Sequence, residues 1–215
     1  MASHAEPLHR FRWLAWGAIV AIAAVAGITY ALTRSHSSAN DNTTPPIAAW
    51  AAGARPAPGF TLRDQQGKPV SIAQFHGRPV IVTFIDPLCR NFCPLEAKQL
   101  NLVVKSLPAQ SRPAVIAVSV NIYGNARANL LQDVAHWQLG PEWRWGVGSP
   151  AQLARVWKNY GVGVLVTTKK IKGVTVRDVT HTEGAYLIDG TGHERALFLW
   201  PYRAADVSQA LKGLS

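Results

Sequence analysis

Residues 78–107 read RPVIVTFIDPLCRNFCPLEAKQLNLVVKSL, and this stretch decides the fold. Val80 to Ile85 is an unbroken β-branched and aromatic run, the composition of a strand covered on both faces. Asp86-Pro87 ends it. Pro94 is expected to open a helix through about Leu107, with Leu100, Val103, Val104 and Leu107 on one face and Glu96, Lys98 and Lys105 available to water. Between strand and helix stand Cys89 and Cys93, the only two cysteines in the chain. Because proline favours the first helical position, Cys93 is expected at the helix entrance.

Outward from this unit the pattern continues as alternating strands and helices. Upstream, Phe60-Thr61-Leu62 and Lys68 to Ile72 flank the turn-type cluster Asp64-Gln65-Gln66-Gly67, a short hairpin. Downstream come a core strand Ala114 to Val120, a helix from about Ala126 to Trp137, a short strand at Trp143 to Val147, and a helix Ala151 to Tyr160 capped by Ser149-Pro150. Val164 to Thr180 is ambiguous: its Val and Thr suggest strands, while Lys169, Lys170, Lys172 and Gly173 suggest an exposed loop or hairpin tip. Thr182 to Asp189 and Glu194 to Leu199 read as a hairpin around Gly190-Thr191-Gly192, and Ala204 to Leu214 as a last helix. This order argues for an α/β sandwich with parallel strands first and an antiparallel hairpin last.

Trp13 to Leu32 is an uncharged apolar run of about 20 residues, long enough to cross a bilayer as a helix. Arg10 and Arg12 precede it, which places residues 1–12 in the cytoplasm and the rest of the chain outside. Ala24-Val25-Ala26 also suits a signal peptidase, so an anchor and a cleaved signal both stand; either exports the domain. Residues 33–57 are rich in Ser, Asn, Thr, Pro and Ala and read as a flexible tether, leaving 58–215 as the folded domain. The expected location is the cell membrane, single-pass, with the domain extracytoplasmic. Formal net charge is +10. Export removes nucleic acid as the obvious partner, so a basic surface would meet anionic lipid headgroups or an acidic protein face, or would serve solubility alone.

Two cysteines in an exported domain can form a structural disulfide. With three residues between them, however, such a bridge removes little entropy from the unfolded chain. The end of a core strand at a helix entrance is also where α/β proteins expose reactive groups, and the helix dipole favours a thiolate there. Reactive sulfur is the better reading.

The segment Pro58-Gly59-Phe60-Thr61-Leu62, the strand Val80 to Ile85, the C-x-x-x-C-P motif from Cys89 to Pro94, and Val179-Thr180-His181 followed by Ala185-Tyr186-Leu187-Ile188-Asp189 together resemble the Sco/SenC family. That resemblance covers roughly Pro58 to Leu214. It implies a thioredoxin-like α/β sandwich with a central mixed sheet, preceded by a transmembrane helix. It further implies a copper protein that delivers its ion to the CuA subunit of cytochrome c oxidase or a similar thiol-bearing acceptor, with Cys89, Cys93 and His181 as copper ligands. Such a donor set has an independent chemical sense, since thiolates select soft cations and imidazole suits copper, as Cu(I) or Cu(II). Met1 is the only methionine, so a Met-rich copper site is excluded within the domain. His4, His9, His36, His76, His136 and His193 fall outside the motif and read as solvent-facing or locally bonded.

Where family members usually carry proline and aspartate between the cysteines, this chain has Arg90 and Asn91, and Asn121 replaces a frequent aspartate. These changes are expected to make the site more positive, lowering thiolate pKa values but repelling a cation. Thiol-disulfide oxidoreductase chemistry at Cys89 and Cys93 is therefore the alternative function. A peroxidase is disfavoured because Asp86 stands where the related peroxidases carry threonine. Lys169, Lys170, Lys172 and Arg177 precede His181 and read either as a partner-docking loop or as a solvated tip. Trp137, Trp143, Trp145 and Trp157 read as packing residues.

Overall fold

The computed structural model describes residues 44–214. The expected cytoplasmic segment 1–12, the apolar span 13–32 and the first part of the tether lie outside the described residues. Among the described residues, no helix is long and apolar enough to cross a membrane.

The strands are β1 (Ala48–Ala49), β2 (Leu62–Arg63), β3 (Pro69–Val70), β4 (Val80–Ile85), β5 (Ala114–Ser119), β6 (Trp143–Gly146), β7 (Val164–Ile171), β8 (Val174–His181), β9 (Gly184–Ile188) and β10 (Glu194–Leu199). The α-helices are α1 (Phe92–Ser106), α2 (Arg127–His136), α3 (Pro150–Asn159) and α4 (Ala204–Lys212). Six strands form one mixed sheet in the order β1-β10-β9-β4-β5-β6. Strands β4, β5 and β6 run parallel, while β9 pairs antiparallel with β4 and β10 antiparallel with β9.

Every residue of β4 and β5 is buried, because helices cover both faces. Side chains alternate across β4. Ile81 and Ile85 join Leu100 and Val103 of α1 and Val207 and Leu211 of α4 on one face. Val80, Val82 and Phe84 join Leu153 and Val156 of α3 on the other. This is the thioredoxin-like α/β sandwich with a central mixed sheet. As the sequence suggests, α3 starts at Pro150 behind Ser149, whose hydroxyl accepts from the Gln152 N–H at 3.2 Å.

Two details differ from the expectation, and a third settles a segment the sequence left ambiguous. The tether assignment 33–57 fails in its second half: Ile47 N–H donates to Leu197 O, Trp50 N–H to Arg195 O, and Ala57 N–H to Gly192 O, making β1 an edge strand. Backbone pairing along β10, together with an ion pair from Arg55 to the buried Glu194, holds a segment whose composition has little to bury. Helix α1 starts at Phe92 rather than Pro94, capped by Asn91 Oδ1 accepting the Phe92 N–H at 2.8 Å. A proline is tolerated anywhere in a first turn, where its missing N–H has no intrahelical partner to lose. Finally, Val164 to Thr180 is a two-stranded ribbon, β7 with β8, turned at Lys172 and Gly173, both at positive φ.

Candidate metal centre

The antiparallel pairing of β9 with β4 brings distant residues together. Val80 stands opposite Ile188 and Thr83 opposite Ala185, so the start of β9 lies at the C-terminal end of β4. The thiol loop leaves β4 at that same end, the edge of a parallel sheet where ligands are commonly held. His181 ends β8 and Glu183 immediately precedes β9, so both side chains arrive beside the cysteines. Gly184 is required at this junction, because a Cβ there would stand 2.7 Å from Phe198 O. An open cleft of about 690 Å³ results, lined by Asp86, Cys89, Asn91, Arg177, His181 and Glu183 among others.

Neither cysteine is in a disulfide; Cys93 is buried and Cys89 half-buried. The Cys93 N–H, in the first turn of α1, points 3.3 Å from Cys89 Sγ. Cys93 Sγ lies 3.9 Å from His181 Nε2. His181 Nδ1 is 3.0 Å from Thr182 O, and a carbonyl can only accept, so Nδ1 carries the proton. The lone pair of a neutral ring is then on Nε2, turned toward sulfur, as a metal ligand requires.

The two thiols titrate as an unequal pair. The Cys89 pKa is lowered to about 6, chiefly by the hydrogen bond from the Cys93 side chain and further by the N–H groups of Cys93, Asn91 and Phe92, against an opposing effect of burial. The Cys93 pKa is pushed up by that shared proton, by burial and by the Cys89 charge. In the reduced pair these effects favour one thiolate at Cys89 and one retained proton at Cys93. Asn91 acts the other way: its Oδ1 is 2.9 Å from Cys89 Sγ and already accepts from Phe92 N–H, so it favours the protonated thiol. The backbone and Cys93 donors outnumber it.

Arg90 does not act as the sequence suggests. Its guanidinium donates to Pro87 O and Cys89 O and pairs with Asp133 of α2 at 3.3 Å. Asp133 is buried, and burial lifts its pKa to about 6 in spite of that arginine. The added positive charge is thus spent on α2, and the lowered Cys89 pKa comes from hydrogen bonds instead.

The SCO1/SenC family model matches residues 51–214. The chain belongs to the SCO1/SenC family. No curated protein matches it significantly. Among solved structures, Bradyrhizobium japonicum ScoI with copper bound matches with a TM-score of 0.61 at 23% identity, over 75% of this chain and 100% of that one. Apo Sco1 from Thermus thermophilus matches with 0.65 at 23%, over 82% and 100%. BsSco, described as a member of the Sco family of cytochrome c oxidase assembly proteins with a disulfide switch, matches with 0.59 at 22%, over 80% and 96%. At such identities these likenesses establish the fold.

Within this SCO1/SenC domain, the three candidate residues of the sequence converge, but not equally. The donor atoms that lie within 4.8 Å of one another are those of Cys93, His181 and Glu183, with Cys89 outside that group. Glu183 Oε1 is 3.8 Å from His181 Nε2. Sequence reading passed over Glu183; its position two residues after His181 was the available signal. Glu96 is a second correction: expected to face water, it is fully buried one turn inside Cys93. Thr83 Oγ1 and Tyr202 OH donate to its Oε1 at 3.0 and 2.8 Å, and burial raises its pKa to about 7. The described histidines His76 and His136 are exposed, and His193 bonds Thr191, as expected of bystanders.

Proposed function

We propose that this protein is a membrane-anchored, extracytoplasmic copper carrier that binds copper through Cys89, Cys93 and His181 and delivers it to the CuA site of cytochrome c oxidase. One observation carries the reading: the ring nitrogen of His181 that is not engaged by the Thr182 carbonyl stands 3.9 Å from a buried cysteine sulfur, whose backbone N–H touches the second sulfur. Two sulfurs and one nitrogen suit Cu(I) in low coordination, and the open cleft leaves room for an acceptor's thiolate to join before the ion leaves. Anchoring is supported by the apolar run Trp13 to Leu32, and the acceptor by the family resemblance. Anaerobic Cu(I) titration of the full-length protein tests it: one ion binds, and Cys89→Ser, Cys93→Ser and His181→Ala each lose it. Unchanged binding in all three variants sinks the reading.

A second reading, a thiol-disulfide oxidoreductase acting on the acceptor's cysteines, is favoured by the low pKa of the half-exposed Cys89. Its thiolate would attack an acceptor disulfide, expelling one acceptor thiolate; Cys93 would then lose its proton, attack Cys89 and expel the second, leaving an oxidised pair. A Cys89–Cys93 reduction potential more oxidising than that of the acceptor pair rules out the reductant role.

A further inference from the structure

We propose that the outer face and tip of the β7–β8 ribbon form a membrane-contact surface that rests on anionic phospholipid headgroups. This surface presupposes the membrane-anchored reading above and adds to it which edge of the domain meets the bilayer.

Alternation along the paired strands gives the ribbon two faces. Arg177, Val179 and His181 share the inner one, which lines the metal cleft. Arg177 also covers Tyr123 in the loop after β5, so the ribbon lies across the edge of the sheet where the parallel strands β4 and β5 end. The outer face carries Leu165, Ile171, Val174 and Val176, each 41 to 64% exposed. Ile171 pairs with Val174 beside the turn, and Lys169 with Val176 is the next pair on that face. Contiguous exposed aliphatic side chains rimmed by polar ones mark a contact surface.

Charge complementarity names the partner. Lys169, Lys170 and Lys172 surround the tip, and no acid occurs from Thr168 to Arg177. Among the described residues none of these three lysines is in an ion pair. Aliphatic groups ringed by lysines suit a headgroup layer, where the apolar parts reach the acyl boundary and the ammonium groups stay with the phosphates. A protein partner is the poorer fit, because binding hot spots favour Trp, Tyr and Arg, whereas lysine is depleted and valine under-represented there.

The point at which the chain enters the domain turns this edge toward the bilayer. Leu199, the last residue of β10, stands opposite Gly184, which opens β9 at the metal centre. Helix α4 follows, and the Thr44 N–H donates to the carboxylate of Asp206 in its first turn. Entry is therefore at the metal-centre edge, not at the opposite one formed by the Gly190 to Gly192 turn. Residues 33–43 alone separate the apolar run from Thr44, a reach of at most about 40 Å when fully extended.

The full-length protein is reconstituted into nanodiscs of phosphatidylcholine alone or of phosphatidylcholine mixed with phosphatidylglycerol. Trypsin cleavage after Lys169, Lys170 and Lys172 is followed by mass spectrometry and divided by cleavage after the exposed Lys212, at the far end of α4. Phosphatidylglycerol is expected to lower this ratio at least about fivefold, and Ile171→Ser/Val174→Ser, which keeps every lysine, to abolish most of that protection. An equal ratio on the two lipids overturns the membrane contact and leaves the face to an acidic protein partner. Full protection in the double variant overturns the part assigned to the aliphatic patch. Flotation with phosphatidylcholine vesicles at high salt reports the anchor separately: a protein that floats but shows no protection loses only the ribbon contact, and one that does not float overturns both readings.

Discussion

The Tyr202 hydroxyl donates to Glu96 Oε1 at 2.8 Å, one helical turn inside Cys93, while Glu96 Oε2 is buried with no partner. Burial raises the Glu96 pKa from 4.5 to about 7, so the folded protein holds it protonated where the unfolded chain has already ionised it. Between those values the native state binds the extra proton, and stability falls as pH rises. The full penalty, reached above pH 7, is about 3 kcal/mol for such a shift. Glu96→Gln removes the ionisation and keeps the shape. Urea midpoints are expected to give the variant a gain of about 1 to 3 kcal/mol at pH 8 and almost none at pH 4.5. A gain that does not vary with pH contradicts the assignment.

Cys89 owes its low pKa first to the Cys93 side chain. Cys93→Ala deletes that donor and leaves the three backbone N–H groups in place. The pH midpoint for alkylation of Cys89 by iodoacetamide is therefore expected near 6 in the wild-type protein, with Cys93 protected by burial. In Cys93→Ala it moves upward by at least about one unit, toward the ordinary thiol value of about 8.5. An unmoved midpoint would assign the effect to the helix terminus alone.

What the sequence made legible, and what it hid, follows from where each signal comes from. Strand β4 and helix α1 are readable because one is buried on both faces and the other on one, and each leaves its own period. The ribbon β7 and β8 is ambiguous because most of its residues are exposed on both faces, so no apolar alternation records it. Strand β1 is hidden because its pairing with β10 is made by backbone groups, which composition does not encode. His181 is legible only through its motif; nothing local to it points to Cys93, since the two are 88 positions apart in sequence and the pairing of β9 with β4 closes the distance. Glu96 looks like a solvent-facing helix residue until Thr83 and Tyr202 supply the hydrogen bonds that let it be buried.

Arg177 of β8 lays its guanidinium 4.2 Å above the ring centroid of Tyr123, in the loop after β5. Because β8 ends in His181, this contact ties the ribbon to the body of the domain on the side of the cleft. A cation–π contact at an exposed site is worth about 0.5 to 1 kcal/mol. Tyr123→Ala is expected to weaken Cu(I) binding about two- to fivefold through looser placement of His181, with little change in the Cys89 alkylation midpoint. A shift of that midpoint equal to that in Cys93→Ala would instead mean that the substitution disturbs the thiol loop.

Asn91 offers the sharpest separation of metal chemistry from thiol chemistry, because its Oδ1 lies 2.9 Å from Cys89 Sγ and caps α1 at the same time. Asn91→Asp keeps the capping oxygen, and an acid suits a helix N-terminus, so the fold tolerates it. The added negative charge attracts any cation at Cys89, whether a proton or copper. At about 4 Å in a solvent-exposed setting that attraction is worth about 1 kcal/mol, or about fivefold. Two opposite consequences follow at pH 7. The Cys89 pKa rises from about 6, the thiolate fraction drops, and alkylation slows. Cu(I) affinity nevertheless increases, because near neutral pH the loss of thiolate fraction is smaller than the electrostatic gain. A variant that alkylates more slowly and binds copper more tightly supports a site tuned by the charge at position 91. Slower alkylation with weaker copper binding shows that proton competition outweighs attraction and that Asn91 is the better residue for holding the ion.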